Sequence, residues 1–565
     1  MSPKHSRRAG DSVLGRRSFL TGTAAVTGLL FAGFSAPVRA ETVLPAFPEG
    51  LSLRKAQFRN WDEAIVTEDL WTVAIGSADD AVRVAEWARI NSYTLRPHGF
   101  RHNWSPLVVD SGTPSSARVL LLDMTTLNSM AMVDDTVVDV EAGASMQDLL
   151  AYLHAHGRAV LSAPAPGDVT VGGVLAVGGH GSAVASAAEQ GNRSLPFGSV
   201  SDLVETISAV VFDSRTGTYI ERTFTRSEPE CSSLLVHLGR TLVTRVRLST
   251  VPTHNLRCRT FTDIPTRELF AAPSVAGPRS LTTMLDDAGR VGIIWYTFTD
   301  RPWIQQWSVS PTRPAESRPT TGPFNFPFAD NLPDPIPQIL GRIVEGNTEL
   351  APAFGDAVIA ATDAGLTLTG ARDMWGPAKD FIHFVRPTTL RVTAASHAVI
   401  TRRDNVQHVV HEFTEVISTM LDEYATRGEY PINSCVEIRV TGVDSRYPVD
   451  RAPALSPATP VPGRADFDTA VWLDTLTLPG TPGHADFYAD LEQRFFRPFP
   501  AELGIVRPEW AKRWGHGDGG AWTDPHALSH EIPDVYPQWS IAANTLAALD
   551  PHNLFTTSLT RRLGL

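Results

Sequence analysis

Cysteine is scarce in this chain: Cys231, Cys258 and Cys435 are the only three in 565 residues. An odd number at wide spacing excludes a disulfide framework and a Cys-x-x-Cys metal site, and no metal is expected. One bridge at most can form, so stability must come from the core. An excess of positive charge is also missing. The formal net charge is −12, which argues against a phosphate backbone as partner and so against nucleic acid. No hydrophobic run is long enough to span a bilayer comfortably, since the N-terminal one, Thr21 to Phe34, falls short of the roughly 20 residues required. Nor does a Gly-x-Gly-x-x-Gly stand between a strand and a helix, so the dinucleotide fingerprint is absent.

What is present begins with an export signal. Arg16-Arg17-Ser18-Phe19-Leu20 precedes the apolar run, and Val38-Arg39-Ala40 closes it with small residues of the kind a signal peptidase reads. Residues 1–40 thus read as a twin-arginine signal, with an N-terminal membrane anchor as the alternative. No cysteine follows the run, which excludes lipid attachment there. The twin-arginine route carries proteins already folded and often already loaded with a cofactor, so a secreted, extracytoplasmic protein is expected.

With 42% hydrophobic and 19% charged residues the remainder has an ordinary soluble composition. Its length implies two to four domains. Ala78 to Asn91 carries a helical stripe, Val119 to Asp123 and Thr136 to Gly143 read as strands, and Ser145 to His156 reads as a helix stopped by Gly157. Strand, helix and strand in repetition point to an α/β or α+β domain.

Two stretches in this region are built for a ligand. Arg96-Pro97-His98-Gly99-Phe100-Arg101-His102-Asn103-Trp104-Ser105-Pro106-Leu107 is too polar and too broken to be core. Its glycine allows close backbone approach, its amides can cradle an anion, and its histidines offer a nucleophilic nitrogen. A surface loop with solvated histidines is the alternative. Downstream, five glycines stand among the eleven residues from Val171 to Gly181. That content excludes a conventional core helix, because each glycine costs about 1 kcal/mol there.

Together with Ala163-Pro164-Ala165-Pro166-Gly167, these stretches resemble the vanillyl-alcohol oxidase type of FAD-binding domain. The resemblance is closest to the branch called type II cholesterol oxidase, in which a histidine holds FAD covalently. That branch's loop reads Arg-Pro-x-Gly-x-x-His-x-Trp-[Ser/Thr]-Pro-Leu, and every fixed position is met here by Arg96, Pro97, Gly99, His102, Trp104, Ser105, Pro106 and Leu107. The match puts the linkage on His102 rather than His98. It implies a flavin site from Arg96, Pro97, His98, Gly99, Phe100, Arg101, His102 and Asn103, joined by Gly172, Gly173, Gly178, Gly179, His180 and Gly181. Asn553, in Asp550-Pro551-His552-Asn553-Leu554-Phe555, belongs to a C-terminal return to the FAD domain.

The fold implied is α+β: a two-part PCMH-type FAD-binding domain (residues 41–252 and 505–565) with an inserted substrate domain (253–504), a mixed sheet flanked by helices. The prolines of Ser310 to Phe328 suggest a mobile loop over the site, and Tyr447 to Arg464 a second.

Val436-Glu437-Ile438-Arg439-Val440 reads as a strand of period two, with Glu437 and Arg439 on one face. That pair is a surface ion pair if the face is wet, and a buried network or active site if it is dry. The resembled branch has a Glu-x-Arg strand element facing the flavin, which makes Glu437 and Arg439 the expected catalytic residues. Gly292 and Ala394 fall where the branch has two further glutamates, and Asp474 where it has an asparagine. Asp474 is therefore a second candidate base.

The implied activity is FAD-dependent oxidation of a bulky apolar secondary alcohol, a sterol such as cholesterol, with O2 reduced to hydrogen peroxide and transient contact with a membrane surface. A different alcohol, or a binding protein on a retired oxidase scaffold, are the competing readings.

Overall fold

The structure is a computed structural model that describes residues 44–190, 195–323, 336–382 and 390–565. The expected export signal and the end of the Ser310 to Phe328 segment lie outside the described residues. A body spanning Ala46–Leu565 contains everything that follows.

A four-stranded sheet opens it, in the order Leu53–Arg59, Val66–Ala74, Val119–Asp123, Thr94–His98. The connecting helix Ala78–Asn91 starts where the Ser77 side chain accepts from the Asp80 amide and stops at Ser92, whose φ is 56°. A five-stranded sheet follows, with Leu242–Ser249 at its centre. Ser145 caps its helix Met146–Ala155, and Gly157 turns the chain at φ 72°. The helices Ala78–Asn91 and Met146–Ala155 and the strand Val119–Asp123 lie within a residue or two of their sequence expectations.

The third sheet has nine strands, running from Arg318–Pro319 at one edge to Gly504–Pro508 at the other. Its middle is antiparallel: Trp303–Val309, Arg290–Tyr296, Cys435–Gly442, Thr469–Thr477 and Thr393–Thr401 lie side by side. Period two divides their side chains. Ile293, Ile304, Val436, Ile438, Val440 and Leu473 face the helix Val406–Thr426 in one apolar core. Ile294, Trp303, Trp307, Cys435 and Leu476 face the other way, toward the functional site. The α+β class with a mixed, helix-flanked sheet is as expected.

The chain then returns to the first sheet, where the Leu95 amide donates to the Leu554 carbonyl at 2.8 Å. Asp550, buried, accepts from Arg240 at 2.8 Å and from the Tyr219 hydroxyl at 2.6 Å.

Several expectations need correction. The stretch from Arg96 is not a wholly solvated loop: it begins in the strand Thr94–His98, and Trp104 to Leu107 are buried. The glycine segment does contain a helix, Val171–Ala176, held to six residues by the glycines beyond it. Tyr447 to Arg464 is no mobile loop over the site. Ala452 to Thr459 are buried, the Ala454 amide donates to Ser232, and the Arg507 guanidinium donates to the carbonyls of Pro457 and Thr459. The described part of the other proline-rich segment is tied to the sheet edge, with Ser310 accepting from the Trp375 indole at 2.8 Å. All three cysteines are free and buried.

Candidate active site

The site-facing side of the large sheet and the loops of the two smaller sheets enclose a cavity of about 440 Å³. That is within the usual range for a small-molecule site. The first wall is the stretch Pro97 to Trp104, the second is Leu161 to Pro166 with Gly179 to Ser182, and the third is the sheet itself.

His102 is the centre of the first wall. Its ring stacks on Trp61 at 4.0 Å between centroids, and Trp104 closes its edge. The loop is anchored from outside: the Trp104 and Ser105 amides donate to the Ala511 carbonyl, and the Trp104 indole donates to Val392 at 2.7 Å. His102 Nδ1 is buried and has no hydrogen-bond partner, Asp168 lying 4.0 Å off. Burial, with the nearby charge of Lys512, lowers the imidazole pKa to about 3, so the ring is neutral at any working pH. Arg101 adopts left-handed backbone at φ 65°, and the amides of Phe100, Arg101 and His102 find no acceptor among the described residues. Successive unpaired amides at such a turn can cradle an anion.

The second wall is as tightly made. A Cβ on Gly181 would collide with the Ser162 hydroxyl and the Ala163 backbone, so only glycine lets the two segments meet. His180 stacks face to face on Trp472 of the large sheet at 3.4 Å, and its Nδ1 lies 3.0 Å from the Gly181 carbonyl. Burial lowers its pKa to about 3.

The third wall carries the charges. Glu437 and Arg439 share the cavity face of their strand, as the period predicted, and are ion-paired. Arg439 Nη1 also donates to Asp474 Oδ2 at 2.6 Å. Lys512 Nζ lies 3.7 Å from the other Asp474 oxygen and 4.2 Å above the Trp104 ring. Glu509 completes the group, 3.9 Å from His180 Nε2.

Two cations and the carboxylates of Glu437 and Asp474 already balance. Ionising Glu509 adds a third negative charge in a dry place. Burial, then the neighbouring Asp474, accordingly raise the Glu509 pKa to about 7. Burial also acts to raise Asp474, but Lys512 and Arg439 outweigh it and bring that carboxyl down to about 2. Burial opposes the Arg439 charge, and Glu437, Asp474 and Glu509 overcome it to raise its pKa.

The expected residues divide accordingly. Glu437, Arg439, His102, Pro97, His98, Gly99, Phe100, Arg101, Asn103, Gly173, Gly179, His180 and Gly181 all line the cavity. Asp474 does not: it is fully buried, paired to Arg439 and 3.7 Å from Lys512. Arg96 does not line it either, because its guanidinium is spent on the carbonyls of Leu95, Leu554 and Thr556. Gly172 packs against Ala142, Gly178 against Pro457, and Asn553 forms a left-handed turn that accepts from Thr556. Of the two positions where the resembled branch has further glutamates, Gly292 lines the cavity and Ala394 is buried off it.

Glu509 and Lys512 escaped the sequence reading. Their only signal is an acid and a base three apart on either side of Trp510, in a stretch that reads as the C-terminal return.

The model of the cholesterol oxidase substrate-binding domain matches residues 255–564, and that of an FAD-binding domain matches residues 71–203. The chain belongs to the cholesterol oxidase family. A solved structure titled solvent-stable cholesterol oxidase is 43% identical, with a TM-score of 0.89 over 93% of this chain and 100% of that one. Cholesterol oxidase from Brevibacterium sterolicum is 35% identical, with a TM-score of 0.88 over 93% of this chain and 99% of the other. Berberine bridge enzyme from Eschscholzia californica, at 13% identity and a TM-score of 0.53, shares the fold. No curated protein matches the sequence.

The chain is therefore an FAD-dependent alcohol oxidoreductase, and the reading as a retired binding scaffold is set aside. Its residues fit the cofactor. The partnerless His102 nitrogen, the open amides beside it and the glycine-crossed second wall are what a flavin dinucleotide needs around it.

Proposed function

We propose that this protein is a secreted oxidase that converts a sterol such as cholesterol to its ketone, with FAD held covalently by His102. The observation that carries the reading is one cavity with two characters: a charged end at Glu437, Arg439, Glu509 and Lys512, and an apolar body lined by Ile294, Trp303, Phe354, Val358, Phe381 and Leu476. A molecule with one hydroxyl on a large apolar skeleton matches both. The chemistry FAD supplies when bound is acceptance of a hydride from the carbinol carbon and return of the electrons to O2 as hydrogen peroxide.

The protein's part is to move the hydroxyl proton. Glu509 is the proposed base, because its carboxyl lines the cavity and titrates near the working pH, where general-base catalysis is most effective. Asp474, held near pKa 2 by two cations, lacks the proton affinity. Arg439, fixed by Glu437 and Asp474, meets the negative charge that grows on the substrate oxygen. His102, neutral and buried, offers a lone pair to the tether.

Leu390 and Phe100, both lining the cavity and both exposed, give it an apolar mouth. Transient contact with a membrane surface, from which an insoluble sterol is drawn, follows from that mouth. No described helix is long and apolar enough to cross a membrane. The Arg16-Arg17 signal supports export.

Purified protein given cholesterol in air should yield cholestenone and peroxide in equal amounts. A flavin that stays oxidised with cholesterol but is reduced by an unrelated alcohol would replace the sterol with that substrate. On a denaturing gel the protein band should fluoresce yellow, and His102→Ala should abolish this while retaining dissociable FAD.

A further inference from the structure

Gln305 carries a buried amide nitrogen with no hydrogen-bond partner among the described residues. It sits in the strand Trp303–Val309 with its side chain on the cavity face, 2% exposed. The Trp307 indole nitrogen, two residues on and on the same face, is also buried and unpartnered. Such a group is costly if it stays unmet, so a folded protein leaves one where a ligand or an ordered water will meet it.

The register shows what lies beside them. Gly292 pairs with Gln305 on one side and with Arg439 on the other. A row across three strands therefore reads Gln305, Gly292, Arg439, with no side chain in the middle. At one strand spacing per step, the outer two backbones stand about 10 Å apart, a gap their side chains can close onto a single atom. The fourth side is the Trp307 ring, which leans over the glycine: a Cβ on Gly292 would lie 3.1 Å from Trp307 Cη2. The result is a notch floored by bare backbone and walled by an amide, an indole edge and a guanidinium.

We propose that Gln305 is a specificity-determining residue that hydrogen-bonds the substrate's oxygen in the notch above Gly292 and presents it to Arg439. This rests on the steroid-alcohol reading of the cavity. An amide suits the task because it can donate to the alcohol oxygen and, through the same N–H, to the ketone oxygen that replaces it. A substrate skeleton without that oxygen gains nothing from Gln305.

Binding tests this apart from turnover. With the flavin-loaded protein in the absence of O2, quenching of tryptophan fluorescence reports affinity for cholestenone and for cholestane, its oxygen-free counterpart. In Gln305→Met, which keeps the volume and loses the hydrogen bond, cholestenone should bind roughly two- to tenfold more weakly, with cholestane unchanged. Equal effects on both ligands, or none on either, would overturn the assignment, because the residue would then only shape the cavity or hold water. Gln305→Leu serves if the methionine variant does not fold. Binding of neither ligand by the unsubstituted protein would remove the steroid reading itself, and this assignment with it.

Discussion

Glu509 and Asp474 are two buried carboxyls of the same charged cluster, driven to opposite protonation behaviour by where the cations lie. Burial pushes both up; at Asp474 the charges of Lys512 and Arg439 outweigh it, whereas at Glu509 burial and the repulsion from Asp474 outweigh the same two cations. The sign of the pH dependence follows. Below pH 7 Glu509 carries its proton and cannot accept another, so flavin reduction by substrate should rise as pH increases through about 7. In Glu509→Gln the rise should vanish and the rate fall roughly 100- to 10,000-fold; a retained rise in stopped-flow reduction rates would assign it to another group. In Asp474→Asn the repelling charge on Glu509 is gone, so the rise should move to lower pH. A midpoint that stays put would mean that Asp474 does not set it.

At the scale of elements, legibility depended on whether a pattern was local. The helix Ala78–Asn91 and the strand Val119–Asp123 announce themselves through stripe and cap. The shared face of Glu437 and Arg439 follows from a period of two. The FAD loop was legible through its resemblance to a family, not through periodicity. What stayed hidden depends on elements far apart in the chain. Ala452 to Thr459 reads as a proline-rich surface segment until the Arg507 guanidinium, some fifty residues later, is seen to hold its carbonyls. Arg96 looks like a flavin-site residue until the C-terminal carbonyls claim it. Asp474 looks like a base because a strand pattern cannot tell which cations will stand in front of it. The crossing of the glycine segment with Leu161 to Pro166 is a joint with no room for a side chain. Gly181→Ala should therefore cut bound flavin severalfold by the ratio of visible to ultraviolet absorbance, as the Cβ pushes Ser162 and Ala163 away. Full flavin content in that variant would show that the wall has room to yield.

Across the whole molecule, the buried Asp550 ties the C-terminal return to the five-stranded sheet by accepting from Arg240 and Tyr219. Asp550→Ala strands an arginine that is 1% exposed. Removing one partner of a buried pair costs about 3–5 kcal/mol, which should appear as a lower urea midpoint, and an unchanged midpoint would show that water reaches Arg240. The same return has a consequence for biosynthesis. The strand that leads into the His102 loop takes its edge partner from Leu554 and Thr556, which leave the ribosome some 450 residues later. A nascent chain cannot complete that support, so flavin binding at that loop should wait until translation has ended, and a chain cut short before Asp550 should emerge colourless.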